Sequence, residues 1–183
     1  MTISPESYTV VESRTLFDHP RVRIIADTLE HGGRRFPYLY LASPVDAIAT
    51  VAITAHREVV LTRQYRHAIR QVICDLPAGR LVPREDPLEG ARRELEEETG
   101  YRAGHIELLG RYNPFPGTLK VIANLFFATG LTLGRQQLDE GEELEVVLMP
   151  FEEALARALR GEFIDGSLQL GLLLAAQKGR MAS

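Results

Sequence analysis

The hydrophobic pattern changes its period several times along the chain. VRIIADTL (22–29) and FPYLYLAS (36–43) are apolar and rich in β-branched or aromatic residues, as strands are. Gly32-Gly33 lies between them and suits a hairpin turn, because glycine accepts positive φ. The first fifty residues read as strands throughout. AIATVAITA (47–55) and EVVLTRQY (58–65) predict two more, joined by a polar turn at His56-Arg57. PAGRLVPRED (77–86) is rich in glycine and proline and predicts a loop. A helix follows: Asp86 caps it, Pro87 suits its first position, and Glu89 completes an Asp-x-x-Glu capping box. Gly100 ends it in the left-handed conformation. IELLGRY (106–112), KVIANLFFATGL (120–131) and LEVVLM (144–149) predict further strands, with a turn-rich NPFPGT between the first two. PFEEALARALRG and SLQLGLLLAAQKG predict the last two helices, the first ended by Gly161. Strands and helices interleaved in this way predict an α/β (α+β) domain, a mixed sheet flanked by helices rather than a doubly wound parallel fold. A soft boundary near Ala42–Pro44 divides an N-terminal β segment, 1–44, from a main domain, 45–183.

Composition narrows the function classes. At 183 residues the chain can bury a real core. A hydrophobic content of 45% excludes disorder as the main state. No apolar stretch is long enough to span a bilayer, so no membrane role is expected. MTISPESYTVVESR lacks the basic-then-apolar order of a secretory signal. Cys74 is the only cysteine and cannot form an internal disulfide; its VICDL setting predicts a buried small hydrophobe. A reducing cytoplasm is the expected compartment. The net charge of −4 disfavours nucleic acid as a partner. A phosphate substrate is still allowed if metal ions supply the positive charge.

Residues 90–101, GARRELEEETGY, put Glu94, Glu96, Glu97 and Glu98 close together, and like charges at this density destabilise an isolated helix. At about 100° per residue, Leu88, Ala91 and Leu95 share the face that packs on the sheet. Glu94, Glu97 and Glu98 converge in an arc beside it, with Arg93 one turn before Glu97. Glu89 and Glu96 point to solvent. Converging carboxylates suit a hard divalent cation such as Mg²⁺, which takes oxygen ligands and keeps exchangeable waters. Helix composition alone is equally satisfied by a solvated acidic face.

The wider spacing decides between these readings. Gly79, five residues, Glu85, seven residues, then Arg93-Glu94-Leu95-x-Glu97-Glu98-x-Gly100-Tyr101 resembles the Nudix signature G-x5-E-x7-R-E-U-x-E-E-x-G-U at every fixed position. RQYRHA, DLPAGRL and the order of elements are similar to the ADP-ribose pyrophosphatase branch. The resemblance implies a Nudix fold, an α/β/α sandwich, whose β-rich N-terminal segment helps form a homodimer and the base pocket. It implies hydrolysis of a nucleoside diphosphate linked to another moiety, with ADP-ribose or a related nucleotide sugar foremost. ADP-ribose would give AMP and ribose 5-phosphate. GDP-mannose, a dinucleoside polyphosphate, or nucleotide sensing without cleavage are the alternatives. By the same resemblance Glu94, Glu97 and Glu98 hold Mg²⁺ (or Mn²⁺), with Glu85 and the Ala78 carbonyl beside them.

In this branch the general base comes from a glutamate in a mobile loop, and LDEGEELEVV offers Glu140 and Glu142, with Glu143 next to them. Gly141 would let that loop move. Arg63, Arg66 and Arg80 are the candidate phosphate contacts, since arginine binds phosphate in bidentate fashion; surface ion pairs are the alternative. Pro116, in YNPFPGTLK, matches a proline of the branch and is assigned to substrate binding. Phe115 stands where serine is usual, and Leu119 and Lys120 where acids are usual, which puts ADP-ribose in question more than the reaction type. Gly90 replaces the usual alanine at a cost of about 1 kcal/mol within a helix.

Overall fold

The computed structural model describes residues 4–181; the outermost residues of the two expected segments, 1–3 and 182–183, lie outside it. In chain order the strands are β1 (Thr9–His19), β2 (Val22–His31), β3 (Arg34–Ala42), β4 (Ala47–Ile53), β5 (Glu58–Arg66), β6 (Gln71–Asp75) and β7 (Ala78–Arg80). Helix α1 (Pro87–Thr99) follows, then β8 (Tyr101–Tyr112), β9 (Leu119–Lys120), β10 (Ala123–Leu133) and β11 (Leu144–Pro150). Helices α2 (Phe151–Leu159) and α3 (Gly166–Met181) close the chain. The 77–86 stretch is not all loop: Ala78–Arg80 forms β7, which pairs with Ala47–Ala49 of β4. Strand β6 was also unassigned from sequence. Both are short, and they owe their form to neighbours rather than to propensity.

Two compact units emerge. The first comprises the described residues up to Val45 together with Asn113–Ile122. Its sheet runs β1-β2-β3-β9, with β9 parallel to β3 through Leu41↔Leu119 and Ala42↔Lys120. Gly32 and Gly33 take φ of 58° and 74°, the left-handed pair that a two-residue hairpin needs. One face of this sheet carries Asp27, Leu29, Tyr38 and Tyr40, which line a cavity of about 360 Å³ with Pro116 and Lys120. Phe17, Ile24, Leu39 and Leu41 fall on the other face by register.

The second unit, Asp46–Tyr112 with the chain from Ala123 onward, holds a seven-stranded mixed sheet. Its main path is β11-β5-β4-β10-β8, with β6 added to β5 and β7 to β4. Strand β4 runs parallel to β10 and antiparallel to β5. Alternation sorts the core into two layers. Ile48, Ala52, Val60, Phe126 and Ala128 pack with Ala91 and Leu95 of α1. Ala49, Val51, Val59, Leu61 and Leu125 pack with Ala154 and Ala158 of α2 and Leu168, Leu172 and Ala175 of α3. The unit is therefore an α/β/α sandwich, its central strands buried on both faces. Cys74 is half-buried rather than enclosed, and it packs on the α2–α3 layer. Among the described residues no helix is long and apolar enough to cross a membrane.

Candidate active site

Helix α1 begins and ends where its sequence dictates. The Asp86 carboxylate accepts from the Leu88 N–H at 2.9 Å and the Glu89 N–H at 3.4 Å, and Pro87 opens the first turn. Gly100 caps the other end at φ 75°, its N–H donating to the Glu96 carbonyl at 2.7 Å. With both ends fixed and Ala91 and Leu95 fully buried, the azimuth of every glutamate is set. Glu96 turns outward to Arg102 at 2.7 Å, and Glu89 leans towards Arg92 at 3.9 Å. Glu94, Glu97 and Glu98 lie on the side that meets β7 and the segment before α1.

Arg93 organises three carboxylates at once. Its Nε donates to Glu85 Oε1 at 2.8 Å and its Nη2 to Glu85 Oε2 at 3.0 Å. Its Nη1 donates to Glu94 Oε1 and to Glu97 Oε2, each at 2.8 Å. Nη2 also reaches the Arg80 carbonyl at 3.3 Å. The five-donor fork of arginine is what allows this arrangement. The Arg93 guanidinium holds the Glu85 carboxyl below the usual carboxylate range against the opposing effect of burial. At Glu94 burial wins over the Arg93 hydrogen bond and raises the pKa.

Glu98 is separate from that group. It is buried, and its Oε2 accepts the Ala78 N–H at 2.8 Å. Burial pushes its pKa up to about 8 despite that hydrogen bond, with the charges of Glu94 and Glu142 adding to the rise. Arg93 thus draws Glu94 and Glu97 together, while Glu98 is held by the β7 backbone instead. Among the described residues no three His, Cys, Asp or Glu side chains stand together at metal-ligand spacing.

The residues present nevertheless fit a divalent cation. Every donor is a hard oxygen, and Glu98 is a buried carboxylate with no cationic side chain bonded to it among the described residues, which a divalent ion would compensate. Gly79 forms a cradle for one of these donors. A Cβ there would stand 2.1 Å from the Glu94 Cδ and Oε1 and 2.4 Å from its Oε2, so only glycine lets β7 lie against that carboxylate. Gly90 has an analogous role. A Cβ there would meet Leu81 Cδ2 at 2.5 Å and Glu85 Oε2 at 3.0 Å, which accounts for glycine within the helix.

The 134–143 loop is tied to the end of α1. Gln136 Nε2 donates to the Glu98 carbonyl at 2.7 Å, and the Gln137 N–H donates to the Glu97 carbonyl at 2.8 Å. Sequence reading missed both glutamines, since neither belongs to a motif. The anchor carries Glu142 close enough for its charge to raise both Glu94 and Glu98. Glu142 Oε2 also accepts from the Asp139 N–H at 3.2 Å. Glu140 is exposed, across Gly141 at φ 85°.

The arginines divide between the two faces of the sheet. Arg63 follows Leu61 on the α2–α3 side and pairs with Glu145 at 2.6 Å, an exposed cross-strand ion pair away from the α1 face. Arg66 lies on the α1 side, where its charge acts on Glu98, and it binds the buried Asp75. Arg80 contributes its carbonyl to Arg93 and pairs with Ala47 along β4. Pro116 belongs to the first unit and lines its cavity. There Tyr38 donates to the Gly117 carbonyl at 2.7 Å, and burial with the neighbouring Asp27 raises the Tyr40 hydroxyl. Asp75 was overlooked in the sequence because its setting is apolar.

Fold and site together define an α/β/α domain with an acidic loop-helix centre suited to a divalent cation. Comparison with known proteins gives that class its family. A NUDIX domain model matches residues 44–167. Over 147 residues the chain is 32% identical to a methanol dehydrogenase activator of Bacillus methanolicus, covering 79% of this chain and 80% of that one. Over 141 residues it is 34% identical to an ADP-ribose pyrophosphatase of Bacillus subtilis (strain 168), covering 72% and 76% of the two chains. A crystal structure of an ADP compounds hydrolase shares the fold with a TM-score of 0.85 at 23% identity, covering 98% of each chain. The chain belongs to the Nudix family and is a hydrolase of the pyrophosphatase kind. Nudix hydrolases generally use divalent metals.

Proposed function

We propose that this protein hydrolyses the pyrophosphate bond of a nucleoside diphosphate linked to a second moiety, with ADP-ribose or a related nucleotide sugar as substrate and Mg²⁺ or Mn²⁺ as cofactor. The observation that carries this reading is the pair of buried contacts joining β7 to α1, Glu94 against Gly79 and Glu98 on the Ala78 N–H. Both fix carboxylates that a solvated acidic face would leave in water. Glu85, Glu94, Glu97, Glu98 and the Ala78 carbonyl are the groups that would hold the metal. A divalent cation there supplies charge neutralisation for the pyrophosphate and acidifies a water.

The chain's own residues then have distinct tasks. Arg66 and Arg80 bind phosphate oxygens and orient the anhydride. Arg93 holds Glu85, Glu94 and Glu97 in place through its hydrogen bonds. Glu142 takes the proton of the attacking water, being the loop glutamate coupled to Glu94 and Glu98. Water adds to one phosphorus as its anhydride oxygen leaves, so ADP-ribose gives AMP and ribose 5-phosphate. Pro116 is assigned to substrate binding, and the N-terminal β segment to the base pocket and to homodimer formation.

The test is a panel of ADP-ribose, GDP-mannose, other nucleotide sugars, dinucleoside polyphosphates, coenzyme A and dNTPs, each with Mg²⁺. Cleavage of ADP-ribose or a nucleotide sugar at the pyrophosphate is the expected result. Turnover of none, or of dNTPs alone, contradicts it. Glu97→Gln with Glu98→Gln abolishes turnover with the fold kept; activity surviving both changes would place the metal elsewhere.

A further inference from the structure

The seven-stranded sheet contains a fork beside Glu98. Strands β4 and β5 pair through Ala52↔Val60 and Ile53↔Val59 and then part. Beyond that point β4 turns to the β7 segment: the Thr50 N–H donates to the Pro77 carbonyl at 2.9 Å, and Ala49 pairs with Ala78. Continuing the β4–β5 register carries Thr50 towards Thr62. Thr62 in turn stands directly opposite Asp75 of β6, so the two side chains share a face. Thr50 alternates with Ile48 and Ala52, and Thr62 follows Val60, so these side chains all belong to the α1 side.

All three polar residues are closed to solvent, Thr50 at 1%, Thr62 at 0% and Asp75 at 3% exposure. Thr50 Oγ1, Thr62 Oγ1 and Asp75 Oδ1 find no hydrogen-bond partner among the described residues. An unmet buried polar atom is costly, and three gathered at one fork suit a single shared partner. Two hydroxyls and a carboxylate oxygen offer the two to four polar contacts by which a buried water is held. The second Asp75 oxygen is fully engaged. Oδ2 accepts from Arg66 Nε at 2.7 Å and lies 2.5 Å from Arg66 Nη2.

We propose that the fork binds an internal water held by Thr50, Thr62 and Asp75, and that Asp75, braced in this way, is a positioning residue for Arg66. Arg66 is half-exposed at the end of β5, where an unbraced arginine samples many rotamers. A two-point bond to a buried, anchored carboxylate fixes the plane of the guanidinium and leaves its remaining N–H groups for an anion. The kinetic part of this inference rests on the reading of Arg66 as a phosphate contact; the water site does not.

A high-resolution crystal structure of the full chain is expected to show one water bonded to Thr50, Thr62 and Asp75, displaced in Thr62→Val. Asp75→Asn raises KM and weakens ADP binding, read by calorimetry, by about tenfold, with kcat within about threefold; Asp75→Glu recovers part of the loss. Thr62→Val, the milder change, raises KM and the ADP Kd about threefold. A dry fork overturns the water site. Wild-type ADP affinity in both Asp75→Asn and Thr62→Val overturns the positioning role. An enzyme that cleaves nothing in the panel refutes the proposed function, and the water and the ADP affinity still judge this one.

Discussion

At Glu98 two demands conflict. The side chain must be buried to meet β7, and burial opposes its charge. Its carboxyl rises from an ordinary 4.5 to about 8, so between those values the folded protein keeps a proton that the unfolded chain has lost. Stability from this group is therefore full below about pH 4.5 and declines as pH rises through about 8. With EDTA present, urea unfolding of the wild type is expected to lose a few kcal/mol more than Glu98→Gln between pH 5 and pH 8. Equal losses in the two proteins would mean that Glu98 is not buried as described. Gly79 makes the matching steric case. Gly79→Ala displaces the Glu94 carboxylate and is expected to lower kcat/KM at least about tenfold, with a stability change under about 1 kcal/mol, because the clash is with the end of a flexible side chain. Full activity in this variant would remove Glu94 from the site. At this scale the spacing in the sequence made Glu85, Glu94, Glu97 and Glu98 the candidates. It did not show that Glu98 is held by the β7 backbone while Arg93 binds the other three, nor that Asp75 is buried, because both depend on which strand lies opposite.

Helix α1 was legible from end to end, since its cap, first proline, apolar period and terminal glycine all agree. The β2–β3 hairpin was legible for the same reason, with Gly32-Gly33 at its turn. Strands β6 and β7 were not, because neither has a period long enough to detect and each is completed by pairing with β5 or β4. The parallel pairing of β10 with β4 was equally hidden, as it joins residues 76 positions apart, such as Ala123 and Ala47. Gly90 belongs to this scale, because it sets how closely α1 approaches the segment before it. Gly90→Ala gains about 1 kcal/mol of helix propensity and loses more to the clash with Leu81, for a net destabilisation of about 1–2 kcal/mol in denaturant unfolding. A stabilised variant would show that Leu81 yields freely.

The whole molecule joins two units whose roles differ. In the first, Phe17, Leu39 and Leu41 leave one face of the sheet apolar and exposed, and β1 is exposed along its full length. The proposed homodimer covers this unit. Sedimentation is expected to give twice the chain mass, and Phe17→Glu with Leu39→Glu to give the single chain; a monomeric wild type would contradict the assignment. The second unit holds the carboxylates, and its chemistry is the central claim. The most direct test is product analysis of ADP-ribose incubated with the purified protein and Mg²⁺, with and without excess EDTA. AMP and ribose 5-phosphate with Mg²⁺, and neither with EDTA, is the predicted result. Intact ADP-ribose with Mg²⁺, or the same products undiminished by EDTA, would contradict the account.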